Sequence, residues 1–325
     1  MLRLPEHWIW DFWLADDGEL FHLFFLKAPR SLVEPDLRHW NASIGHAVSH
    51  DLGDWRVLDD ALLPAAAPAF DDRSTWTGSV VRDDTGHWRM FYAGISNAEK
   101  GLKQRIGCVV SCDLATWKRS SELPVLESDS RWYEQLPEIQ WPDEAWRDPW
   151  VFRMAEDGRW HMLITARAAT GAAESRGVIG HAISDDLVRW EIAPPLTGTD
   201  SGFGHLEVPQ VEEVDGRTIL LFSCLGRDLS PKRPGAGGIW AAEGVISTGP
   251  FQVSTARRIS DESLYSGRIV RDRSGQWQLL AFRNDDGEGR FVGELTDPSP
   301  FDPDGSVMSG NGVDASPDGL AKEVA

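Results

Sequence analysis

Short runs of apolar and aromatic residues alternate with tight glycine turns along most of the chain. Residues 88–92 (W-R-M-F-Y) and 160–164 (W-H-M-L-I) are two such runs, each directly after a turn. Apolar runs on both sides of a tight turn predict β-hairpins. Five turns share this setting, and their glycines are 68, 72, 58 and 59 residues apart: Gly18, Gly86, Gly158, Gly216 and Gly275. Units of about 65 residues hold four strands each, which predicts an all-β fold, a five-bladed β-propeller.

A second repeat supports this interpretation. The pattern S-x-D-L-x-x-W occurs at residues 49–55, 111–117 and 184–190, each time after a short strand of small residues. We expect its aspartate to end a strand and to accept hydrogen bonds from the turn backbone. Its leucine and tryptophan are expected to pack between blades. The repeat therefore predicts structure rather than chemistry.

Three acidic residues stand at related positions of the repeat. Asp11, Asp148 and Glu207 lie 7, 10 and 9 residues before the glycines of their turns, in apolar or aromatic surroundings. If the units are equivalent, all three carboxylates start inner strands and converge at the axis. A carboxylate among apolar residues is costly to bury without a role or a partner. The alternative is that each caps a turn or pairs with an arginine, as Asp148 could with Arg147.

Two carboxylates at an axial funnel can divide the roles of acid and nucleophile, which is the minimum apparatus for glycoside hydrolysis. Retention at the anomeric carbon needs their carboxyl groups about 5–6 Å apart, and we expect this of Asp11 and Glu207. Apolar neighbours of Glu207 are expected to raise its pKa by desolvation.

Composition limits the other classes of function. The 325 residues include 32 Lys and Arg against 51 Asp and Glu, a formal net charge of −19. Such a surface repels nucleic acid and anionic membranes, so neither is an expected partner. The three cysteines cannot make a disulfide framework, and no Cys/His cluster has zinc spacing, so no metal or cofactor is expected. The oligomeric state stays open.

The chain is expected to form one catalytic domain over residues 1–300, followed by a loose tail over residues 301–325 that is rich in Gly, Pro, Asp and Ser. The first residues lack the apolar core of a signal peptide, and no apolar run reaches the length of a membrane span. We therefore expect a cytoplasmic protein.

Five motifs resemble one family, in the family's own order. Residues 22–25 (H-L-F-F) and 46–55 (H-A-V-S-x-D-L-x-x-W) resemble segments of the invertase and inulinase family of glycoside hydrolases. Residues 76–79 (W-T-G-S) resemble a motif shared with levansucrases, residues 147–149 the R-D-P motif and residues 207–209 the E-C-P motif. The resemblance covers roughly residues 8–283.

This resemblance implies a five-bladed propeller that acts on β-fructofuranosides with retention. By the same resemblance Asp11 is the nucleophile, Glu207 is the general acid/base, and Asp148 stabilises the transition state through hydroxyls of the furanose ring. Arg147 is then expected to orient or charge-balance Asp148. Candidate sugar-binding residues complete the site: Trp10, Trp76, Ser79, Arg147, His205 and Tyr265.

Some positions depart from the family pattern. The invertase segment W-M-N-D-P-N-G is absent, and residues 10–13 (W-D-F-W) look more like the levansucrase V-W-D-x-W. Residues 264–268 (L-Y-S-G-R) stand where invertases carry F-Y-A-P-Q. The carboxy-terminal β-sandwich of invertases is not expected in a chain of this length. These departures affect the substrate and the leaving-group subsite more than the three carboxylates.

Other functions stay open at this point. A fructosyltransferase would use the same three carboxylates, with a sugar in place of water. Another furanosidase, such as a propeller arabinofuranosidase, would also use two Asp and one Glu. A carbohydrate-binding propeller without catalysis is a further alternative. A phosphorylase would need a cationic pocket, for which the candidates are Arg167, Arg176 and Arg268.

Overall fold

Five four-stranded antiparallel sheets make up the structure, each built from strands that follow one another along the chain. A computed structural model describes residues 1–136, 139–305 and 307–310. The first strand of each sheet packs against the first strands of its two neighbours, and the first sheet contacts the fifth. The sheets thus form a closed ring of blades around an axis, which confirms the predicted five-bladed β-propeller.

The strands are numbered in chain order. The first blade contains β1 to β4, at His7–Asp16, Phe21–Pro29, Ser43–Ser49 and Arg56–Val57. The second contains β5 to β8, at Ser74–Arg82, Trp88–Ile95, Gln104–Ser111 and Lys118–Arg119. The third contains β9 to β12, at Trp146–Arg153, Trp160–Arg167, Gly177–Ser184 and Glu191–Ala193. The fourth contains β13 to β16, at Glu207–Val214, Arg217–Cys224, Gly238–Gly244 and Arg257–Arg258. The fifth contains β17 to β20, at Leu264–Arg271, Trp277–Asp285, Phe291–Leu295 and Ser299–Pro300.

Helical structure in the described residues consists of short 3₁₀ segments at Arg30–Leu32, Pro35–Trp40, Ala173–Ser175, Gly226–Asp228 and Val253–Thr255. No helix among these residues has the length and apolar character needed to cross a membrane.

The five turn glycines close the hairpins between the first and second strands of the blades. Their φ angles lie between 72° and 96°, in the left-handed region where a side chain would be strained. The S-x-D-L-x-x-W repeat forms the turn between the third and fourth strands. There Asp51 Oδ1 accepts hydrogen bonds from the amides of Gly53 and Asp54, both at 2.9 Å. Leu52, Leu114 and Leu187 of the repeat are buried.

The innermost strand of every blade contains a β-bulge near the same end of the ring. The pairing register shifts between Trp10 and Phe12 in β1, and between Thr75 and Gly78 in β5. Two residues also oppose one at Asp148 and Pro149, at Val208 and Pro209, and at Ser266 and Gly267. A bulge bends the strand and re-aims its side chains. Five equivalent bulges therefore shape the same end of the axis.

Blade five closes the ring with both ends of the described chain. The amide of Leu2 donates to Leu295 O at 3.2 Å, and the amide of Leu295 donates back at 3.0 Å. The first residues of the expected tail contact the propeller. Phe301 donates its amide to Trp277 O at 2.9 Å, and both Phe301 and Met308 pack on the apolar core between blades four and five. Residues 306 and 311–325 lie outside the described residues.

Two blades contain the same trio, in which an exposed turn aspartate contacts the first of two buried histidines. In blade one, His22 Nδ1 lies 3.0 Å from His46 Nε2, and His22 Nε2 lies 3.2 Å from Asp17 Oδ2. In blade three, the distances are 2.9 Å between His161 and His181 and 3.1 Å between His161 and Asp157. Blade two has Asp83 and Arg89 in the corresponding places. The trio tethers the hairpin turn to the second and third strands.

We expect these trios to make the fold sensitive to acid. Burial and the neighbouring histidine lower the pKa of His46 to about 4, and likewise that of His181. An unfolded histidine takes up its proton near pH 6.5. The stability that each neutral, buried histidine contributes is therefore complete above that pH and is lost as the pH falls toward 4. The loss amounts to about 3 kcal/mol for each fully shifted histidine.

Melting temperatures of wild type and His46→Gln across pH 4 to 7 test this expectation. Below pH 6.5, the melting temperature of the variant should decline less than that of wild type. His50→Gln is the control, because His50 is exposed and its Nδ1 meets only the carbonyl of Glu19, at 3.3 Å. Parallel curves for wild type and His46→Gln would contradict the assignment.

Candidate active site

The bulged end of the axis opens into a cavity of about 550 Å³. The cavity is lined by all three predicted carboxylates and by most of the predicted sugar-binding residues: Asp11, Asp148, Glu207, Trp10, Trp76, Arg147, His205 and Tyr265. The structure thus brings together residues from all five blades. A pocket of this volume suits a ligand of small-molecule size.

Asp11 lies in the bulge of β1 and is held by two hydroxyl groups. Ser266 Oγ donates to Asp11 Oδ1 at 2.5 Å, and Thr77 Oγ1 donates to Asp11 Oδ2 at 2.7 Å. Burial raises the pKa of Asp11, although both hydrogen bonds oppose this shift. The two hydroxyls come from the bulges of blades two and five, so three blades fix this carboxylate.

Asp148 lies in the bulge of β9 with a φ of 56°, a conformation that non-glycine residues rarely adopt. Thr165 Oγ1 donates to Asp148 Oδ2 at 2.7 Å, and the Val208 amide donates to the same oxygen at 3.1 Å. Burial raises the pKa of Asp148 to about 6, against the attraction of Arg147. Backbone strain and an unfavourable burial are both typical of a functional position.

Glu207 is the first residue of β13 and makes the strongest ionic contact of the site. Arg147 Nη2 donates to Glu207 Oε1 at 2.5 Å, and the Tyr265 hydroxyl donates to Glu207 Oε2. His205 Nδ1 lies 3.6 Å from Glu207 Oε1. Burial pushes the pKa of Glu207 up, but Arg147, His205 and Tyr265 outweigh it and lower the pKa to about 2.

This result corrects one expectation. The apolar sequence neighbours of Glu207 do not set its pKa, because a guanidinium from another blade lies against the carboxylate. Arg147 was expected to orient or charge-balance Asp148, and its Nε forms an ion pair with Asp148 Oδ2 at 3.7 Å, while its Nη2 also contacts Glu207. Gln104 Oε1 accepts from Arg147 Nη1 at 3.1 Å and fixes the guanidinium from the other side.

Ser79 does not line the cavity, contrary to expectation. Its side chain is buried, and its Oγ accepts the amide of Val151 at 3.0 Å. It therefore joins the inner strands of blades two and three. Thr77, two residues before Ser79, contacts Asp11 instead.

The walls of the cavity include residues that the sequence did not single out. Arg38, His39 and Trp40 come from the 3₁₀ segment that follows β2, and the Trp76 indole donates to His39 O at 2.7 Å. Further polar and apolar residues line the cavity from three loops and a strand, among them Leu102, Trp141, Asp143, Arg227, Asp228 and Asn284. Arg227 and Asp228 belong to the loop after β14, whose first residues thus lie at the cavity. The segments after β2, β6 and β14 all connect the second and third strands of their blades, but they differ in sequence, so the repeat could not identify them.

No group of three or more His, Cys, Asp and Glu side chains within the described ranges is arranged to hold a metal ion. The site contains two carboxylates held by hydroxyls and one held by a guanidinium. Such environments push the pKa values of neighbouring carboxyls apart, which is how one site can provide both an acid and a nucleophile.

Comparison with known proteins agrees with the site. Residues 13–236 match the model of the Glycosyl hydrolases family 32 N-terminal domain. An insoluble isoenzyme of β-fructofuranosidase from Arabidopsis thaliana is 29% identical over 212 residues, which are 61% of this chain and 34% of that protein. A fructan 6-exohydrolase from Triticum aestivum is 27% identical over 197 residues, which are 59% of this chain and 30% of that protein. The matches thus span about a third of the length of these relatives.

Solved structures share the fold. An inulosucrase from Halalkalicoccus jeotgali bound to kestose superimposes with a TM-score of 0.71 at 23% identity, over 87% of this chain and 79% of that one. Fructan 1-exohydrolase IIa from Cichorium intybus superimposes with a TM-score of 0.67 at 20% identity, over 91% of this chain and 56% of that one.

The burial of Asp148 predicts a gain in stability when its charge is removed. Its pKa rises from 3.8 to about 6, so the cost of ionisation is absent below pH 3.8 and complete above pH 6. This cost is about 3 kcal/mol. Asp148→Asn should therefore melt several degrees above wild type at pH 7.5, with little difference at pH 4.

Differential scanning calorimetry at the two pH values measures this gain. Asp186→Asn is the control, because Asp186 lies in the exposed turn after β11 and its pKa is lowered to about 2 by backbone hydrogen bonds. That variant should melt no higher than wild type. An Asp148→Asn variant that melts below wild type at pH 7.5 would show that the carboxylate is not strained.

Proposed function

The chain belongs to glycosyl hydrolases family 32, and from this premise we propose that it is a retaining β-fructofuranosidase, which hydrolyses sucrose, fructo-oligosaccharides or fructans by double displacement. The observation that carries the proposal is the pairing of Asp11 and Glu207. Adjacent residues of β17 hold them in one cavity, since Ser266 bonds to Asp11 and Tyr265 bonds to Glu207. A separation of about 5 Å between the carboxyls, which retention requires, stays a prediction.

In the first step of this proposal, Asp11 attacks the anomeric carbon of the fructosyl group while Glu207 gives a proton to the departing oxygen. A covalent fructosyl-enzyme results. In the second step Glu207 takes a proton from water, the water oxygen attacks the same carbon, and Asp11 is released. Two inversions give net retention. Asp148 accepts hydrogen bonds from ring hydroxyls and stabilises the positive charge that develops on the ring.

The other residues of the cavity position these groups. Arg147 and Tyr265 orient the Glu207 carboxyl toward the bond to be broken. Trp10 and Trp76 offer aromatic surface to the sugar, as is usual for apolar pocket walls. His205 lies beside both Arg147 and Glu207 and is close enough to meet a sugar hydroxyl.

Transfer of the fructosyl group to a sugar is the second candidate. The levansucrase-like segment W-D-F-W around Asp11 favours it. Water and a sugar hydroxyl compete for the same intermediate, so the residues of the trio serve either outcome. A cytoplasmic location, and the absence of nucleic-acid, membrane, metal and cofactor partners, stay predictions from the sequence.

A screen of sucrose, inulin, levan and nitrophenyl furanosides tests the proposal. We expect fructose release, with β-fructofuranose as the first anomer seen by NMR before it equilibrates. Oligosaccharides longer than the substrate at high sucrose would identify transfer. Asp11→Asn is the control, and its kcat should fall by several orders of magnitude. Release of arabinose alone, or of the inverted anomer, would contradict the proposal.

Glu207→Gln should separate the two steps. General acid catalysis contributes about 10²- to 10⁴-fold, and a very good leaving group needs little of it. We therefore expect the variant to lose far more activity on sucrose than on a nitrophenyl β-fructofuranoside, measured as initial rates of the first step. Equal losses on both substrates would exclude Glu207 as the acid.

A further inference from the structure

Arg268 is the most deeply buried cation on the inner strand of blade five. Its side chain is 1% exposed, and it lies two residues after Ser266 in β17. Burial lowers the pKa of Arg268 to about 10, so the guanidinium is still charged at neutral pH. A buried charge is costly unless hydrogen bonds compensate it. Its partners therefore show why the fold retains it.

The guanidinium joins the backbones of blades one and four. Arg268 Nε donates to Phe12 O at 3.2 Å, and Nη1 donates to Pro209 O at 2.7 Å and to Val208 O at 3.3 Å. Phe12 directly follows Asp11 in the sequence, and Val208 directly follows Glu207. One planar group thus holds the peptide carbonyls just beyond both carboxylates.

These carbonyls are available because of the bulges. Val208 and Pro209 together face one residue of β14, so their peptide groups leave the regular ladder of hydrogen bonds. A buried carbonyl needs another donor, and the fork of Arg268 provides two. Lysine has a single nitrogen on a flexible stem and cannot reproduce this planar arrangement.

Beneath the guanidinium lies a second cavity, of about 240 Å³, toward the end of the axis where the glycine turns lie. Arg268 lines it together with Trp150, whose ring centre is 4.9 Å from the guanidinium carbon. Arg268 Nη2 is buried and has no hydrogen-bond partner among the described residues. The lower cavity therefore reaches the guanidinium, and a small cation could take its place from this side.

We propose that Arg268 is a positioning residue, whose planar fork holds the bulges of β1 and β13 so that the carboxyls of Asp11 and Glu207 face the same reacting bond. The inference rests on the proposed function for its kinetic consequence. It goes beyond that function because Arg268 contacts neither carboxylate through any hydrogen bond or ion pair among the described residues, and acts through the backbone of both.

Kinetics of Arg268→Met and Arg268→Lys test the role. Misplacement of catalytic groups by about 1 Å can cost about 10²-fold. We therefore expect Arg268→Met to lower kcat about 100-fold and to change KM less than about threefold, since the walls of the sugar pocket are kept. Arg268→Lys should lose about tenfold. Arg271→Met is the matched control, because Arg271 lies on the same strand and lines the same lower cavity but is exposed. It should have wild-type kinetics.

Chemical rescue distinguishes positioning from a general loss of structure. Guanidinium chloride at about 50 mM, far below denaturing concentration, should raise the kcat of Arg268→Ala at least about tenfold by entering the lower cavity. Sodium chloride at equal ionic strength should not. Circular dichroism and melting temperature establish that each variant is folded. Folded Arg268→Met and Arg268→Lys variants with a kcat within about threefold of wild type would overturn the proposal.

Two further results separate this inference from the proposed function. If Arg268→Met does not fold, Arg268→Lys decides, and wild-type kcat in a folded Arg268→Lys variant overturns the role. If wild type cleaves no fructoside, the proposed function fails, and crystal structures of wild type and a folded variant test the positioning directly. A displacement of the Asp11 or Glu207 carboxyl by about 1 Å supports the role, and unmoved carboxyls overturn it.

Discussion

The bulge in each innermost strand is the constraint on which the site depends. A regular strand points alternate side chains to opposite faces of its sheet, and neither face of a propeller blade points toward the axis. The bulges break this alternation and aim Asp11 and Asp148 into the cavity. The positive φ angles of Asp148, Val208 and Ser266 show the conformational cost. The surrounding blades must supply the energy that maintains these conformations, because isolated strands would relax to a regular ladder.

Burial and compensation divide the carboxylates into two kinds. Asp11 and Asp148 receive hydrogen bonds from hydroxyls or an amide, which stabilise a carboxylate less than a guanidinium in contact does. Their pKa values are therefore raised, while Glu207, in contact with Arg147, has a lowered pKa. The bulges also free the carbonyls that Arg268 binds. The same distortion therefore orients the carboxylates and provides the contacts that keep them in place.

The sequence predicted the architecture because the repeat is regular, and it located the carboxylates because they stand near the repeat's turns. Counting from the turns nevertheless equated Asp148 with Glu207, whereas the pairing equates Asp148 with Val208 and Arg147 with Glu207. The cause is the longer hairpin after β9. The prediction of a raised pKa for Glu207 was wrong because its main partner is 60 residues away in the sequence. The loops of the rim were missed because they differ from blade to blade, and no local pattern shows which loop turns toward the axis.

The pKa shifts of the two proposed catalytic groups run opposite to the direction that double displacement requires. The proposed nucleophile, Asp11, has the raised pKa, and the proposed acid, Glu207, has the lowered one. Glu207 keeps 20% of its side chain exposed to the cavity. A sugar that covers this surface removes water from the Glu207 carboxylate and raises its pKa, while its hydroxyls can donate to the carboxylates beside it. In the proposed mechanism, binding of the substrate therefore sets the protonation state as well as the geometry, and a ligand that fills only part of the cavity leaves Glu207 ionised and unable to act as the acid.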